Sequence, residues 1–457
     1  MKKLKILLPI IAAMSLSGCT GFINNIIDEL NFSDESSTQE SSSENTSSTN
    51  SSTSIDPQGQ ADYTILMYMC GSDLESDYGM ATLDIQEMLN KSCPSNVNIV
   101  IETGGSRKWG LWEYSSVKDD YVYKGNPYNI SNTKLGRYHI EGKNLVKDAQ
   151  ITNSSMGNSS TLQSFIEWGF GTYPAKQTGL ILWNHGGAMG GCCFDDYYND
   201  SLTSAEVNTA VKNAMTTLKR TEKFTWIGYD CCLMSVADIA SVNAQYFDYM
   251  VASQESEAGE GWDYDSWLPS LYNNANIAPT ELLPQICTSF IQDYENTYGG
   301  YYDNDQTLSV LDLSKMDAFI SAFETYSQAL NISNSTGFNK IKTAYNNSLR
   351  FGYDGDLNAY LFGVADFKDF LTKMKNQFSS VSNTALLNAL NDLVIYNAYG
   401  SSGYSSTKPC GLSVFVAYAK QVTVSDGTYG LQCSKQMYTT KDTLFTTWRN
   451  ININYGF

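Results

Sequence analysis

The stretch that decides the fold begins Gly179-Leu180-Ile181-Leu182-Trp183 and breaks at Asn184-His185-Gly186-Gly187. A second apolar run, Phe224-Thr225-Trp226-Ile227-Gly228-Tyr229, breaks at Asp230-Cys231-Cys232-Leu233-Met234. Short aliphatic and aromatic runs that stop abruptly at Gly or polar residues read as buried strands of a parallel sheet. Between them, Thr203-Ser204-Ala205-Glu206 has capping-box spacing. Val207, Ala210, Val211, Ala214 and Leu218 then recur at helical spacing, which predicts a helix from Thr203 to Lys219. Strand, helix and strand in one sheet form a right-handed crossover. Such a crossover sets two carboxyl-terminal strand ends side by side, where open α/β sheets bind ligands. One end carries a His and the other a Cys, the pairing on which thiol hydrolysis depends.

On these residues the sequence resembles the clostripain family, cysteine peptidases of the caspase-like superfamily. Trp183-Asn184-His185-Gly186 and Asp230-Cys231-Cys232-Leu233-Met234 carry the likeness. Tyr68-Met69-Cys70-Gly71-Ser72-Asp73-Leu74-Glu75 extends it, as do Met156-Gly157 followed by Leu162 and Phe165, and Gly261-Trp262-Asp263-Tyr264. Residues 61 to 320 match well and the rest loosely. One departure stands out: the family usually has a small residue before the nucleophile, where this chain has Cys231. Alignment on Leu233-Met234 makes Cys232 the nucleophile.

The resemblance implies an endopeptidase that cuts after Arg or Lys through a His185–Cys232 dyad. A thiol of pKa about 8.5 needs activation, and Cys232 is expected between a strand end and the start of a helix running from Leu233 to Gln245, where unpaired backbone donors favour the thiolate. His185 would deliver a proton to the leaving amine, and the amides of Gly186 and Cys232 are the candidate oxyanion donors. Asp230 falls where the family places an acidic residue beside the first specificity pocket, and Glu260 where relatives tend to carry another. Two carboxylates in a narrow pocket of low dielectric favour a cationic side chain. Asp230 could instead cap the following helix, and Glu255, Glu257 and Glu260 could form a solvated acidic loop. No cofactor is required and no metal site is expected. Some relatives are calcium-activated, and Asp195-Asp196 or Asp303 to Asp305 could offer oxygen ligands, although neither has calcium-loop spacing. His139, in Arg137-Tyr138-His139-Ile140, lacks a matched partner and reads as structural.

The chain opens differently. Lys2, Lys3 and Lys5 precede an apolar segment from Ile6 to Met14 and then Leu16-Ser17-Gly18-Cys19. That is a secretory signal pattern, too short for a span of about 20 residues. Its last residues resemble a lipoprotein signal cut before Cys19, which would carry the lipid. From Asp34 to Gln60 the composition turns to Ser, Thr, Glu and Asn, and this stretch cannot bury enough apolar surface to offset ordering. Residues 1–18 therefore read as the signal, 19–60 as lipid anchor and tether, 61–313 as a caspase-like catalytic domain and 314–457 as a further domain. The expected place is the outer face of a bacterial cell envelope.

Net charge is −19 with only 29 basic residues, which disfavours nucleic acid as a partner. Acidity suits basic peptide substrates, and it also keeps an exported surface protein soluble. Ten Cys do not form a disulfide framework on this spacing. Cys192-Cys193 and Cys231-Cys232 are vicinal, and disulfide geometry fits poorly across one peptide bond. Cys70, Cys287, Cys410 and Cys433 read as small buried residues. With two His in all, a zinc site is disfavoured.

The remaining pattern alternates strands and helices, as in an α/β sheet covered on both faces. Tyr63 to Met69, Val97 to Ile101 and Tyr249 to Ala252 read as further strands, and residues 109 to 140 as a hairpin or meander. From Ser314 the character becomes mainly helical, with helices marked by Met316, Phe319 and Phe323, by Phe367, Phe370 and Met374, and by Leu386, Leu390 and Leu393. A catalytically silent lipoprotein that binds peptides or glycans on a caspase-like scaffold is the alternative, and the intact dyad argues against it.

Overall fold

The computed structural model describes residues 60–457 apart from positions 116, 119 and 426. The expected signal, Cys19 and the tether up to residue 59 lie outside the described residues.

Nine strands form the central sheet: β1 (Ala61–Cys70), β2 (Val97–Gly104), β3 (Lys134–Glu141), β4 (Asn144–Thr152), β5 (Ala175–Trp183), β6 (Phe224–Asp230), β7 (Phe247–Ala252), β8 (Thr307–Asp312) and β9 (Val394–Tyr399). Their order is β9-β8-β7-β6-β5-β1-β2-β3-β4. The five central strands, β7-β6-β5-β1-β2, are parallel. Antiparallel strands close both edges. Side chains alternate across β1: Leu66, Tyr68 and Cys70 enter one apolar cluster, and Tyr63, Ile65, Met67 and Met69 the other. Both faces are therefore buried, which is why the strand reads as a continuous apolar run.

The helices Met80–Met88, Tyr264–Asn273 and Pro279–Tyr298 cover one face. On the other lie Ser159–Thr172, Ser204–Thr217 and Ala237–Asn243, together with helices of the C-terminal third. The Ser204–Thr217 helix starts as its sequence predicts. Thr203 Oγ1 accepts from the Glu206 amide at 3.3 Å, and Glu206 Oε2 accepts from the Thr203 amide at 2.9 Å. Val207, Ala210, Val211 and Ala214 are buried against the sheet, and a fully buried Val side chain contributes about 1.5–3 kcal/mol.

One expectation needs correction. The helix beyond the second strand end begins at Ala237 rather than Leu233. Leu233 has φ +67°, its amide donates to the Glu255 carbonyl, and the Ser235 carbonyl accepts from the Ser413 amide. Neighbouring loops thus take the backbone groups that a helix would need. The central sheet runs across the expected boundary at 313/314. Val394–Tyr399 forms β9, antiparallel to β8. Residues 314–457 are otherwise mainly helical, and Phe319, Phe323, Phe445 and Trp448 join the same apolar cluster as Val207 and Ile239. The hairpin expected within 109 to 140 pairs Leu111–Ser115 with Asp120–Gly125. All nine described cysteines are unbridged. Among the described residues no helix is long and apolar enough to cross a membrane.

Candidate active site

The parallel register aligns Trp183 of β5 with Asp230 of β6. His185 and Cys232 each lie two residues further on, so the sheet itself brings imidazole and thiol to one end. Asn184 anchors the first turn: its side chain donates to the Cys70 carbonyl and accepts from the Phe194 amide, both at 2.8 Å. Gly186 lets the two turns approach, because a Cβ there would stand 2.1 Å from the Cys232 carbonyl oxygen. Gly186 bridges Cys192 through the amides of its neighbours: Gly187 donates to the Gly191 carbonyl and Cys193 to the His185 carbonyl. The Gly186 amide takes no part in that ladder.

A third strand end supplies a residue that sequence reasoning did not assign. Asp73 lies in the first turn of the Ser72–Tyr78 helix that follows β1, and β1 is the other neighbour of β5. Its Oδ1 stands 2.9 Å from His185 Nε2. Burial opposes protonation of His185, yet the Asp73 carboxylate, with Cys232 and Asp196 beyond it, outweighs burial and raises the imidazole pKa above its usual value. Burial likewise works against the Asp73 charge, and the imidazole more than compensates, so its pKa is lowered.

The two vicinal thiols point apart. Cys231 donates to the Leu182 carbonyl at 3.3 Å, and burial pushes its pKa up to about 11. Cys232 Sγ instead accepts from the Glu257 amide at 3.3 Å. A backbone donor on sulfur favours the thiolate, and that amide replaces the helix start expected from the sequence.

The cleft holding His185 and Cys232, about 110 Å³, is also lined by Asp73, Asp230 and Glu257. Asp230 is 4% exposed and Glu257 7%. The Tyr264 hydroxyl at 2.7 Å and the Trp262 amide at 3.3 Å donate to Asp230 Oδ2. Burial nevertheless raises Asp230 to about 7. Burial, then the Asp230 charge, pushes Glu257 well above the usual carboxylate range. Both Glu257 carboxylate oxygens are buried, and the carboxyl group they can share a proton with is that of Asp230. Glu260, expected in this pocket, points elsewhere and accepts from the Tyr298 hydroxyl. Of the three glutamates in that loop, the structure turns Glu257 inward. Glu255 is half-buried, and its Oε1 accepts from the Gly352 amide at 2.8 Å.

The remaining candidates are structural. His139 Nδ1 is within 2.9 Å of Asp148 at the sheet edge. Asp195 accepts from the amides of Met156 and Tyr197, and Asp196 from the Ser72 hydroxyl. Among the described residues no group of three or more His, Cys, Asp or Glu side chains could hold a metal ion.

A thiol and an imidazole on adjacent strand ends of a covered parallel sheet belong to the caspase-like thiol peptidases. The model of the clostripain family matches residues 67–445. The chain belongs to that family and is a cysteine peptidase. Clostripain of Hathewaya histolytica is 24% identical over 413 residues, which cover 80% of this chain and 76% of that protein. A secreted C11 cysteine protease from Bacteroides thetaiotaomicron, "iotapain", has a similar fold, with a TM-score of 0.59 at 14% identity over 85% of this chain and 99% of that one. The inactive zymogen of a C11 protease from Parabacteroides distasonis gives 0.55 at 18% identity, covering 79% and 93%. A secreted C11 cysteine protease from Bacteroides thetaiotaomicron in complex with an irreversible peptide inhibitor gives 0.53 at 16%, covering 78% and 93%.

Proposed function

We propose that the chain is an exported, lipid-anchored endopeptidase that hydrolyses peptide bonds after Arg or Lys. The observation that carries the specificity is the buried pair of carboxylates, Asp230 and Glu257, on the wall of the cleft that holds Cys232. With no cation in the pocket, the pair holds on to protons. A guanidinium or ammonium entering there allows both to ionise and gains an attraction strengthened by low dielectric. A neutral side chain would leave the acidic pair without a partner.

In this reading the Cys232 thiolate attacks the carbonyl carbon of the bond that follows the basic residue. Negative charge develops on the carbonyl oxygen, where the amides of Gly186 and Cys232 stabilise it. His185, held by Asp73, protonates the leaving amine as the C–N bond breaks. It then takes a proton from the water that hydrolyses the thioester and frees Cys232.

Export and anchoring rest on the basic, apolar and Cys19-terminated start of the sequence, supported by a structural neighbour described as secreted. Purified protein would be given otherwise identical peptides with Arg, Lys, Gln or Leu before the cut bond. Hydrolysis confined to Arg and Lys supports the proposal. Equal hydrolysis of the Leu peptide would end it.

A further inference from the structure

A second cavity, of about 290 Å³, lies in the C-terminal third, lined by Tyr345, Arg350, Tyr353, Asn358, Tyr360 and Lys420. Three observations mark it as more than a packing gap. The guanidinium of Arg350 lies 4.1 Å from the ring centroid of Tyr360 and its Nη1 donates to Asn346 Oδ1 at 3.5 Å, so its planar face is held and its remaining edge donors face no carboxylate. Neither Arg350 nor Lys420 is ion-paired among the described residues, in a chain whose net charge is −19. The Tyr345 hydroxyl, on a side chain 1% exposed, is buried without a hydrogen-bond partner. Two cations and an orphaned hydroxyl in one cavity are the donor set for a carboxylate. The aromatic rings of Tyr353 and Tyr360, 5.1 Å apart, would pack along its aliphatic stem.

The cavity is tied to the nucleophile's loop. The Gly352 amide, beside Tyr353, donates to Glu255 Oε1 at 2.8 Å. The carbonyl of Glu255 in turn accepts from the amide of Leu233, the residue after Cys232. Gly352 itself packs on the Leu233 side chain, 3.0 Å from where its Cβ would stand. Past Leu233, Ser235 accepts from the Ser413 amide, placing the whole C-terminal unit against this loop.

We propose that this cavity is a second substrate subsite, one that takes the carboxylate of an Asp or Glu side chain on the same peptide whose basic residue enters the Asp230–Glu257 pocket. The inference rests on the peptidase reading above. It makes the preferred substrate bipolar, with an acidic residue at one fixed distance from the cut. Charge complementarity favours a peptide carboxylate here, since a substrate bound by its basic residue delivers further side chains over neighbouring surface. An acidic sugar is the competing occupant.

The test uses the full chain and a set of Arg-containing peptides in which Gln is replaced by Glu at each position in turn. At one position, Glu should raise kcat/KM by about tenfold, as expected of a charge-assisted hydrogen bond, and the gain should shrink in high salt. Arg350→Gln and Lys420→Gln should remove that gain and leave hydrolysis of the all-Gln peptide unchanged. Arg350→Lys, which keeps charge but loses the fork, should retain part of it. No Glu preference at any position, or a preference that survives the double Gln variant, overturns the subsite. If no Arg peptide is cut, the peptidase specificity fails separately. The subsite is then read by calorimetry of the Glu peptides on the parent and on the double Gln variant. Binding to the parent alone supports it. No binding, or binding of glucuronate with no binding of any Glu peptide, overturns it.

Discussion

Replacing Asp73 with Asn removes one charge and keeps the shape of the side chain that holds His185. In the parent, Asp73 Oδ1 and His185 Nε2 are 2.9 Å apart, with the imidazole side chain 4% exposed and the carboxylate 31%. A hydrogen bond to a charged group is worth about 1.5–3 kcal/mol and a neutral one about 1 kcal/mol, so the substitution removes about 0.5–2 kcal/mol. The partial exposure of Asp73 screens the charge and places the loss near 1 kcal/mol, about fivefold in kcat/KM if the imidazolium acts in the transition state. The pH profile separates positioning from mere structure. Asp73 raises the pKa of His185 against the effect of burial, so the variant's alkaline limb should move to lower pH. Stability follows the same linkage. The raised imidazole pKa contributes fully below about pH 6.5, and that contribution fades as pH rises through the folded value. The lowered Asp73 pKa contributes above about pH 4 and fades as pH falls through its folded value. The stability gap between parent and variant should thus be widest between those limits, measured by thermal unfolding across pH. An unchanged rate with an unchanged alkaline limb would refute the assignment of Asp73.

Cys232→Ala should abolish hydrolysis and Cys231→Ala should leave most of it, since only the Cys232 sulfur is turned to the Glu257 amide; the reverse pattern in a peptide assay would exchange their roles. Asp230→Asn and Glu257→Gln should each raise KM for Arg peptides more than Glu260→Gln does, because Glu260 faces Tyr298; equal effects of all three in steady-state kinetics would contradict that ranking. Both buried carboxylates have raised pKa values, so the folded state keeps protons that the unfolded state releases above about pH 4, and stability falls as pH rises toward 7. Asp230→Asn should therefore gain in unfolding temperature relative to the parent at pH 7 but not at pH 4, and a constant difference would count against the pair. The Cys192–Asp195 and Asp200–Leu202 strands pair as a hairpin whose loop from Cys192 to Thr203 holds no Lys or Arg. Arg220 and Lys223 just beyond the following helix donate to backbone carbonyls, so the active enzyme should run as one uncut chain on a denaturing gel; a fragment pair absent from Cys232→Ala, cut between Cys192 and Thr203, would show the opposite.

What was legible in the sequence was local. The β5 and β6 runs, the capping box at Thr203 and the residues at both strand ends are set by patterns within about ten positions. The apolar spacing after Cys232 does suit a helix from Leu233, while Glu255 and Ser413, remote in sequence, claim the backbone. Asp73 stood in a quoted motif, yet only the sheet order, which puts β1 beside β5, reveals that it reaches His185. Glu255, Glu257 and Glu260 are equivalent by composition, and only the folded loop shows that Glu257 lines the cleft while Glu255 meets Gly352 and Glu260 meets Tyr298. Val394–Tyr399 follows a leucine-rich helix directly. As an edge strand it depends on β8, more than eighty residues earlier, and no local pattern announces that pairing.

The most direct test of the central claim is covalent labelling with a chloromethyl ketone bearing an Arg side chain, followed by peptide mapping of the adduct. The account predicts one adduct per chain, on Cys232, formed by the Arg reagent and not by its Leu counterpart, and lost in Cys232→Ala. Labelling on Cys231, or equal labelling by the Leu reagent, would contradict it.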